Sequence, residues 1–450
     1  MQPPLQFFLL LQALPVLRAS AIPADGSTLD IRSKPLSNEP FIRPDADADA
    51  DANEAGRDGC PSVSGTAAGL LGRTPSPSQS LSSPVSSSSS PSSSTSSTGM
   101  ACNNSPLLCG RSYSSVTHLG AHDSAFLRDS HELSAIAGDQ FFNATLALSA
   151  GVRLLQAQVH VLNGTLFLCH TSCGLLNAGL LETWLGLIAR WLDTNPHDVV
   201  TLLLVNSDNQ AAAVFGRIFQ QAGLSKYGYA RSASQQGAAG WPTLQAMIAA
   251  NTRLVTFIAS IAADASYPYL LNEFDHVFET PYMVTNLVQF SNCSLDRPPS
   301  AGSAAAALRR GMLPLLNHFA YAKVSSSIQI PDVSDIDVTN SPDTTGTGGG
   351  SNGGDGISGT LGAQANRCTA QWSGTKPAFL LVDFFNRGPA ITTADNLNGL
   401  TAATTVGRTI TQEMQQGAAS RSTGVALAVQ KAVFWRTMAL VFVVGASQAL

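Results

Sequence analysis

Leu180-Leu181-Glu182-Thr183-Trp184-Leu185-Gly186-Leu187-Ile188-Ala189-Arg190-Trp191-Leu192-Asp193-Thr194-Asn195-Pro196-His197-Asp198-Val199-Val200-Thr201-Leu202-Leu203-Leu204-Val205 contains one helix followed by one strand. Leu181, Trp184, Leu185, Ile188 and Leu192 fall close to helical spacing, which predicts an amphipathic helix over 180–192. Asn195-Pro196 ends it, because proline lacks the amide hydrogen a helix needs and restricts the residue before it. The run 199–205 is almost continuously aliphatic, the pattern of a strand covered on both faces. A strand covered on both faces belongs to a sheet whose connections are helices, hence to an α/β fold.

The same alternation extends in both directions. Strand candidates are 116–121, 152–161, 165–169, 199–205, 253–258, 276–279, 313–317 and 378–384, in that order. Helical patterns cover 139–149, with Phe142, Leu146 and Leu148 near one side, then 211–221, and 241–250 opening with Trp241-Pro242-Thr243. Eight strands in one cycle favour a single (β/α)8 TIM-type barrel over 100–400, allowing for distortion, with working groups at the C-terminal strand ends. Residues 331–362, rich in Asp, Ser, Thr and Gly, read as a flexible insertion between the seventh and eighth strands. Gly348-Gly349-Gly350 lies in no strand-to-helix context and has no Lys beside it, which excludes a phosphate-cradling loop.

The strand ends are far more polar than the strands. His122 and Asp123 follow the first. Gln156, Gln158 and His160 alternate along the second, which predicts a common lumen-facing side. His170 ends the third; Asn206 and Asp208 end the fourth; Asn317 and His318 the seventh; Asp383 and Asn386 the eighth. Imidazole titrates near neutrality, so His122 and His170 suit a reaction that takes up one proton and releases another. Capping of strands and loop backbone accounts equally well for any one of these polar residues, and less well for His122, Asp123, His170 and Asp383 together.

The chain is 450 residues long and carries a net charge of -5 with no basic stripe, which disfavours nucleic-acid binding. Residues 1–21 read as a signal peptide, with an apolar core at 7–17 and a small-x-small site at Ala19-Ser20-Ala21. Residues 22–99, dominated by Ser, Pro, Asp, Ala and Gly, are expected to be disordered, since they bury too little apolar area to offset ordering entropy. Residues 401–450 read as a linker and a glycosylphosphatidylinositol attachment signal: small residues at 417–420, a polar stretch, and a mostly apolar 438–450. Plain secretion and a membrane-inserted tail are the alternatives.

Seven cysteines fit an oxidising compartment. Local spacing favours Cys102 with Cys109 and Cys169 with Cys173; Cys293 and Cys368 would then pair and Cys60 is left over. Six paired cysteines allow 15 connectivities, so spacing alone does not fix this. Cys169-His170-Thr171-Ser172-Cys173 fits neither zinc nor haem-attachment spacing well, and a disulfide clamping a turn is the preferred reading. Sequons at Asn103, Asn143, Asn163 and Asn292 are candidate glycan sites and are expected on the surface.

Gly120-Ala121-His122-Asp123-Ser124, Gly151-Val152-Arg153-Leu154-Leu155-Gln156-Ala157-Gln158-Val159-His160 and Leu168-Cys169-His170 resemble the X-domain signatures of phosphatidylinositol-specific phospholipase C. Residues 191–204 extend the resemblance. With the Cys-His-Thr-Ser-Cys turn and Leu380-Leu381-Val382-Asp383-Phe384-Phe385, it narrows to the fungal secreted phospholipase-C-like phosphodiesterases. It covers about 102–400. It implies that His122 is general base and His170 general acid, with Asp383 orienting His122 and Asp123 either orienting His170 or polarising the site. The base takes a proton from the inositol 2-hydroxyl, the acid protonates the leaving diacylglycerol oxygen, and a cyclic inositol phosphate results.

Two departures from that family stand out. Calcium-dependent members carry carboxylates at the end of the second strand, where Gln156 and Gln158 stand here, and Asn206 replaces a further acidic ligand. Hard dications favour carboxylate oxygens, so no tightly bound calcium is expected and no other cofactor is implied. Metal-independent bacterial members place an arginine where this chain has Gln158, and only Arg128 or Arg387 is placed to enter from a loop; Arg153 starts its strand facing away. Two readings stay open. One is an extracellular phosphodiesterase acting on a lipid or glycolipid phosphodiester, held at the membrane or cell wall through its anchor. The other is a surface protein binding a phosphorylated or carbohydrate ligand in the barrel mouth. A metal-dependent glycerophosphodiesterase would need paired carboxylates after the first two strands, which are absent.

Overall fold

A computed structural model describes residues 100–409 apart from 129–135, 233–236, 238–239, 324–328 and 346–358. The signal peptide, the Ser/Pro-rich arm with Cys60, the glycine run and the anchor signal at 410–450 all lie outside the described residues. In chain order the elements are β1 (His118–Ala121), α1 (Ala144–Ser149), β2 (Leu154–Leu162), β3 (Thr165–His170), β4 (Leu176–Leu180) and α2 (Leu181–Thr194). They continue with β5 (Val200–Asn206), α3 (Ala212–Gln221), α4 (Leu244–Ala249), β6 (Leu254–Ala259), β7 (Leu270–Asn272), α5 (Glu273–His276) and β8 (Val277–Glu279). Then come α6 (Ala304–Arg309), β9 (Leu313–His318), β10 (Tyr321–Lys323), β11 (Gln329–Pro331), α7 (Ile336–Thr339), α8 (Leu361–Gln371), β12 (Phe379–Val382) and α9 (Ala390–Asn398). Among the described residues no helix is long and apolar enough to cross a membrane.

Eight strands form one curled parallel sheet in the order β7-β6-β5-β2-β1-β12-β9-β8. The α/β barrel-type fold is therefore present, with two corrections. The expected third barrel strand turns back antiparallel on β2, and β4 adds to its far side. Its place in the cycle is taken by β7, three residues long and too short to stand out by periodicity. The sheet also stays unclosed, since β7 and β8 share no ladder; a single turn, α5, joins them where other barrel strands are joined by longer crossovers.

The predicted insertion at 331–362 is not a plain loop. β11 ends at its first residue, α7 lies within it and α8 begins at Leu361. Local caps shorten two expected helices. Asn143 accepts from the Leu146 amide and starts α1, leaving 139–143 free to run toward the barrel mouth, and Thr243 does the same for α4.

Strand parity places the core and the site at once. Leu154, Leu203, Phe257, Leu313, Leu315, Phe379 and Leu381 fill the lumen, with Tyr113 and Trp241 in the same cluster. The alternate residues Leu155, Leu202, Leu204, Leu316, Leu380 and Val382 pack outward with Trp184, Leu185 and Ile188 of α2. Each such side chain contributes roughly 1.5–3 kcal/mol on burial. Toward the C-terminal ends the inward series changes character: Leu154 gives way to Gln156 and Gln158, Phe379 and Leu381 to Asp383, and His118 and Gly120 to His122. A methyl group on Gly120 would lie 2.7 Å from Leu154 Cδ2 and 3.0 Å from Leu381 Cδ1, so a hydrogen is all this lumen position accommodates.

Candidate active site

His122, Asp123, Asp139, His170 and Asp383 converge at the C-terminal rim, and all five are buried. His122 leaves β1 with its ring stacked on Phe319, centroids 3.7 Å apart. Its Nδ1 is 2.8 Å from Asp383 Oδ1 and 3.6 Å from Asp139 Oδ1. Its Nε2 is 3.7 Å from Asp123 Oδ2. His170 Nε2 lies 3.5 Å from that same Asp123 oxygen and 3.2 Å from Asp139 Oδ2. Phe126 meets the His170 ring edge-on.

Backbone geometry holds these groups at sharp turns. Asp123, Thr171 and Phe384, each directly after a site residue, have φ of 42°, 60° and 45°. Left-handed conformations in residues other than glycine cost about 1–3 kcal/mol each and persist where the surroundings enforce them. Here the Cys169–Cys173 disulfide closes the turn after His170, and Gln140 ties the turns at His122 and Asp383 together. Its Nε2 donates to His122 O and Val382 O at 2.7 and 3.1 Å, and its Oε1 accepts from Phe385 N at 3.1 Å.

Asp139 is the site residue that sequence reading missed, having placed it at the start of a helix. It reaches the centre because its amide donates to Phe126 O and its carbonyl accepts from Phe384 N. Gly138 permits this approach, as a Cβ there would sit 2.4 Å from the Leu127 carbonyl carbon. A glycine immediately before a polar pair in a loop was the available signal.

The charges are strongly coupled. Burial alone would depress both imidazoles. For His122 the charges of Asp123 and Asp383 outweigh it, and for His170 those of Asp139 and Asp123 do, so both rise from 6.5 to about 9. Burial and the neighbouring Asp139 push Asp383 up to about 7, and burial also raises Asp123.

The amides are placed differently from one another. Gln158 Nε2 donates to Asp123 Oδ2 at 2.8 Å while its Oε1 accepts from Thr171 N at 2.9 Å, so it links the two histidine-bearing turns. Gln156 accepts from the Asp123 amide at 2.6 Å. Asn206 and His160 are not brought into the centre. Asn206 exchanges both its amide groups with the Gln210 backbone, and His160 Nδ1 faces Asp208 at 3.7 Å on the rim. Asn317 bonds Glu279 and the Thr280 backbone, and His318 bonds Thr339 O at 2.7 Å. Burial lowers His318 to about 4.

With their amide oxygens committed in this way, Gln156, Gln158 and Asn206 do not fit a calcium site at the strand ends. His122, Asp123 and Asp139 do offer ligand-type atoms within 4.8 Å of one another, and these also face the two histidines. Of the three arginines, Arg153 is structural, pairing with Asp198 at 2.6 Å, and Arg387 pairs with Asp337. Arg128 is buried with Nη1 donating to Pro331 O, and that burial lowers its pKa against the opposing charges of Asp139 and Asp383.

The structure pairs Cys102 with Cys109, Cys169 with Cys173 and Cys293 with Cys368. Asn143, Asn163 and Asn292 are exposed, whereas Asn103 is buried with its Oδ1 accepting from Val199 N. Asn103 is therefore removed from the expected surface glycan sites.

A family model described as PI-PLC X 1 matches residues 108–398. An uncharacterized secreted protein of Arthroderma benhamiae is 35% identical over 294 residues, which are 65% of this chain and 60% of that protein. The PI-PLC X domain-containing protein 1 of the same fungus is 34% identical over 294 residues, 65% of this chain and 87% of that protein. Among solved structures, the phosphatidylinositol-specific phospholipase C of Listeria monocytogenes matches 66% of this chain and 97% of its own, with 15% identity and a TM-score of 0.40. The matched span runs from before β1 into α9 and so includes every residue of the buried histidine–aspartate cluster: this chain belongs to the PI-PLC X domain family.

Proposed function

We propose that the protein is a phosphoric diester hydrolase in which His122 and His170 act as base and acid on a lipid or glycolipid phosphodiester, without tightly bound calcium. The observation that carries this is the shared carboxylate oxygen: Asp123 Oδ2 lies 3.7 Å from His122 Nε2 and 3.5 Å from His170 Nε2. Two imidazole nitrogens that close can serve the entering and leaving oxygens of one phosphodiester. His122, with Asp383 on Nδ1, takes the proton of an attacking head-group hydroxyl. That oxygen bonds to phosphorus, the bond to the leaving oxygen breaks, and His170 supplies the proton to it. A carboxylate on the far nitrogen fixes tautomer and orientation, as in other histidine–aspartate pairs. Gln158 supports the acid by holding the turn after His170.

The disulfides and the name of the secreted fungal relative support an extracellular location, with the C-terminal signal attaching the chain to a membrane or cell-wall surface. The purified chain in EDTA should release a phosphorylated head group from phosphatidylinositol or a related lipid, and His122→Ala and His170→Ala should each abolish release. Equal release by the wild type and both variants would refute the assignment.

A second reading is a protein that binds a phosphorylated or carbohydrate ligand without cleaving it. Both ends of Gln158 are engaged, and it supplies no cation beside the phosphorus. Inositol phosphate binding without turnover that survives His170→Ala would select it.

A further inference from the structure

Among the described residues the carboxylate of Asp383 has one hydrogen bond, from His122 Nδ1 to its Oδ1 at 2.8 Å, while its Oδ2 is buried and has none. Side-chain partners therefore do not fix this carboxylate, and its direction comes from the backbone turn on which it sits. That turn puts Phe384 at φ 45°, a conformation that persists only where the surroundings enforce it. Gln140 enforces one side, through Val382 O and Phe385 N.

The other side is held from α7, inside the stretch whose composition reads as a flexible insertion. Asn340, directly after α7 and fully buried, donates Nδ2 to Asp383 O at 2.8 Å and to Phe384 O at 3.3 Å. α7 is itself tied down. Asp337 Oδ1 accepts from Arg387 Nε at 2.7 Å and from Gly388 N at 3.2 Å, and Thr339 O accepts from His318 Nε2 at 2.7 Å. Ile336 packs with Phe141 and Phe384. Gly388 has φ 60°, and a Cβ there would lie 2.6 Å from Asp337 O and 2.8 Å from Asn340 Cβ, so the turn closes directly onto α7.

We propose that Asn340 is a positioning residue for the base: it braces the Asp383 turn so that the carboxylate stays on His122 Nδ1, which makes the segment 336–340 part of the site's machinery. The inference rests on the catalytic assignment for its effect on turnover, and on the geometry alone for its effect on His122. An asparagine suits the position because its amide nitrogen carries two N–H groups, one for each of two successive carbonyls. Alanine leaves both buried carbonyls without that donor, and the turn relaxes to find water or another partner.

The test pairs kcat and KM on phosphatidylinositol with NMR titration of the histidine Cε1 protons in the full chain. Asn340→Ala should lower kcat about tenfold or more and leave KM within about twofold, because orientation rather than binding is lost. His122, whose proton Asp383 holds together with Asp123 and Asp139, should titrate lower in the variant. His170, for which Asp383 ranks last among the three charges, should titrate as in the wild type. Thr360→Ala removes the N-cap of α8 at the end of the same insertion. It should lower the melting temperature and leave kcat and the His122 titration unchanged. Asn340→Ser, which keeps a polar group, replaces Asn340→Ala if that variant does not fold. Wild-type kcat and His122 titration in Asn340→Ala, or an equal kcat loss in Thr360→Ala, would overturn the positioning role. A shifted His122 beside an unshifted His170, with a wild type inert on phosphatidylinositol, would keep the brace and remove the catalytic reading.

Discussion

Asp139→Asn removes one charge from the centre of the site and almost none of its shape. The amide and carbonyl that tie residue 139 to Phe126 and Phe384 are backbone groups and stay in place. Raising His170 from 6.5 to about 9 corresponds to about 3 kcal/mol in favour of imidazolium. After burial, which opposes the charge, Asp139 is its leading cause. Its removal should lower His170 by on the order of one to two pH units. His122, for which Asp123 and Asp383 rank ahead of Asp139, should move by less than about one.

In the proposed reaction His122 must lack its proton and His170 must hold one, and with His122 at about 9 only about 1% of molecules have the base ready at pH 7. The wild type should therefore gain activity toward alkaline pH. In Asp139→Asn, where His170 falls further than His122, the optimum should move toward neutrality and its height should drop, because the acid then loses its proton before the base is free. The assay is kcat/KM from pH 6 to 10, alongside NMR titration of the histidine Cε1 protons. Unchanged limbs together with unchanged imidazole titrations would refute the electrostatic account.

Three further outcomes follow. Both raised histidines bind protons more tightly folded than unfolded, so they stabilise fully below about 6.5; that stabilisation fades as pH climbs through about 9, visible as a falling melting temperature that His122→Ala should flatten. Replacing Cys293 and Cys368 by Ser opens a loop of sequence separation 75 and should cost about 4–5 kcal/mol in urea unfolding, against about 2 for the Cys169–Cys173 pair at separation 4. The short pair should instead lower kcat, because it clamps the turn after His170; equal kcat losses from both pairs would contradict this. Gly120→Ala should lower unfolding free energy by about 1–3 kcal/mol through overpacking against Leu154 and Leu381, measured by the same urea titration.

The α/β class was legible because Val200–Asn206 and its flanking helix follow simple periodicities that tertiary context reinforces. The positions of His122, His170 and Asp383 were legible for the same reason, since each ends an apolar run. Asp139 was not, because a loop carries no period and its position comes from backbone bonds to Phe126 and Phe384, distant in sequence from one another. β3 misled because an apolar strand reads the same whether its partner runs parallel or antiparallel. His160 and Asn206 have the right parity or strand-end position, but contacts to Asp208 and Gln210 decide where they point.

The missing ladder between β7 and β8 gives the sheet a seam. In a closed barrel every strand is equivalent in restraint, and any change of girth strains all of them. Here the strands feeding the chemistry, β2, β1 and β12, sit in the interior of the strand order, each gripped on both sides. The seam strands are only three residues long apiece. Opening the mouth to admit a bulky head group can then be accommodated by parting at the seam, while the spacing of His122, Asp123 and Asp383 is held by the least yielding part of the sheet. Amide exchange should grade accordingly, slowest along β1 and β12 and fastest at the two seam strands.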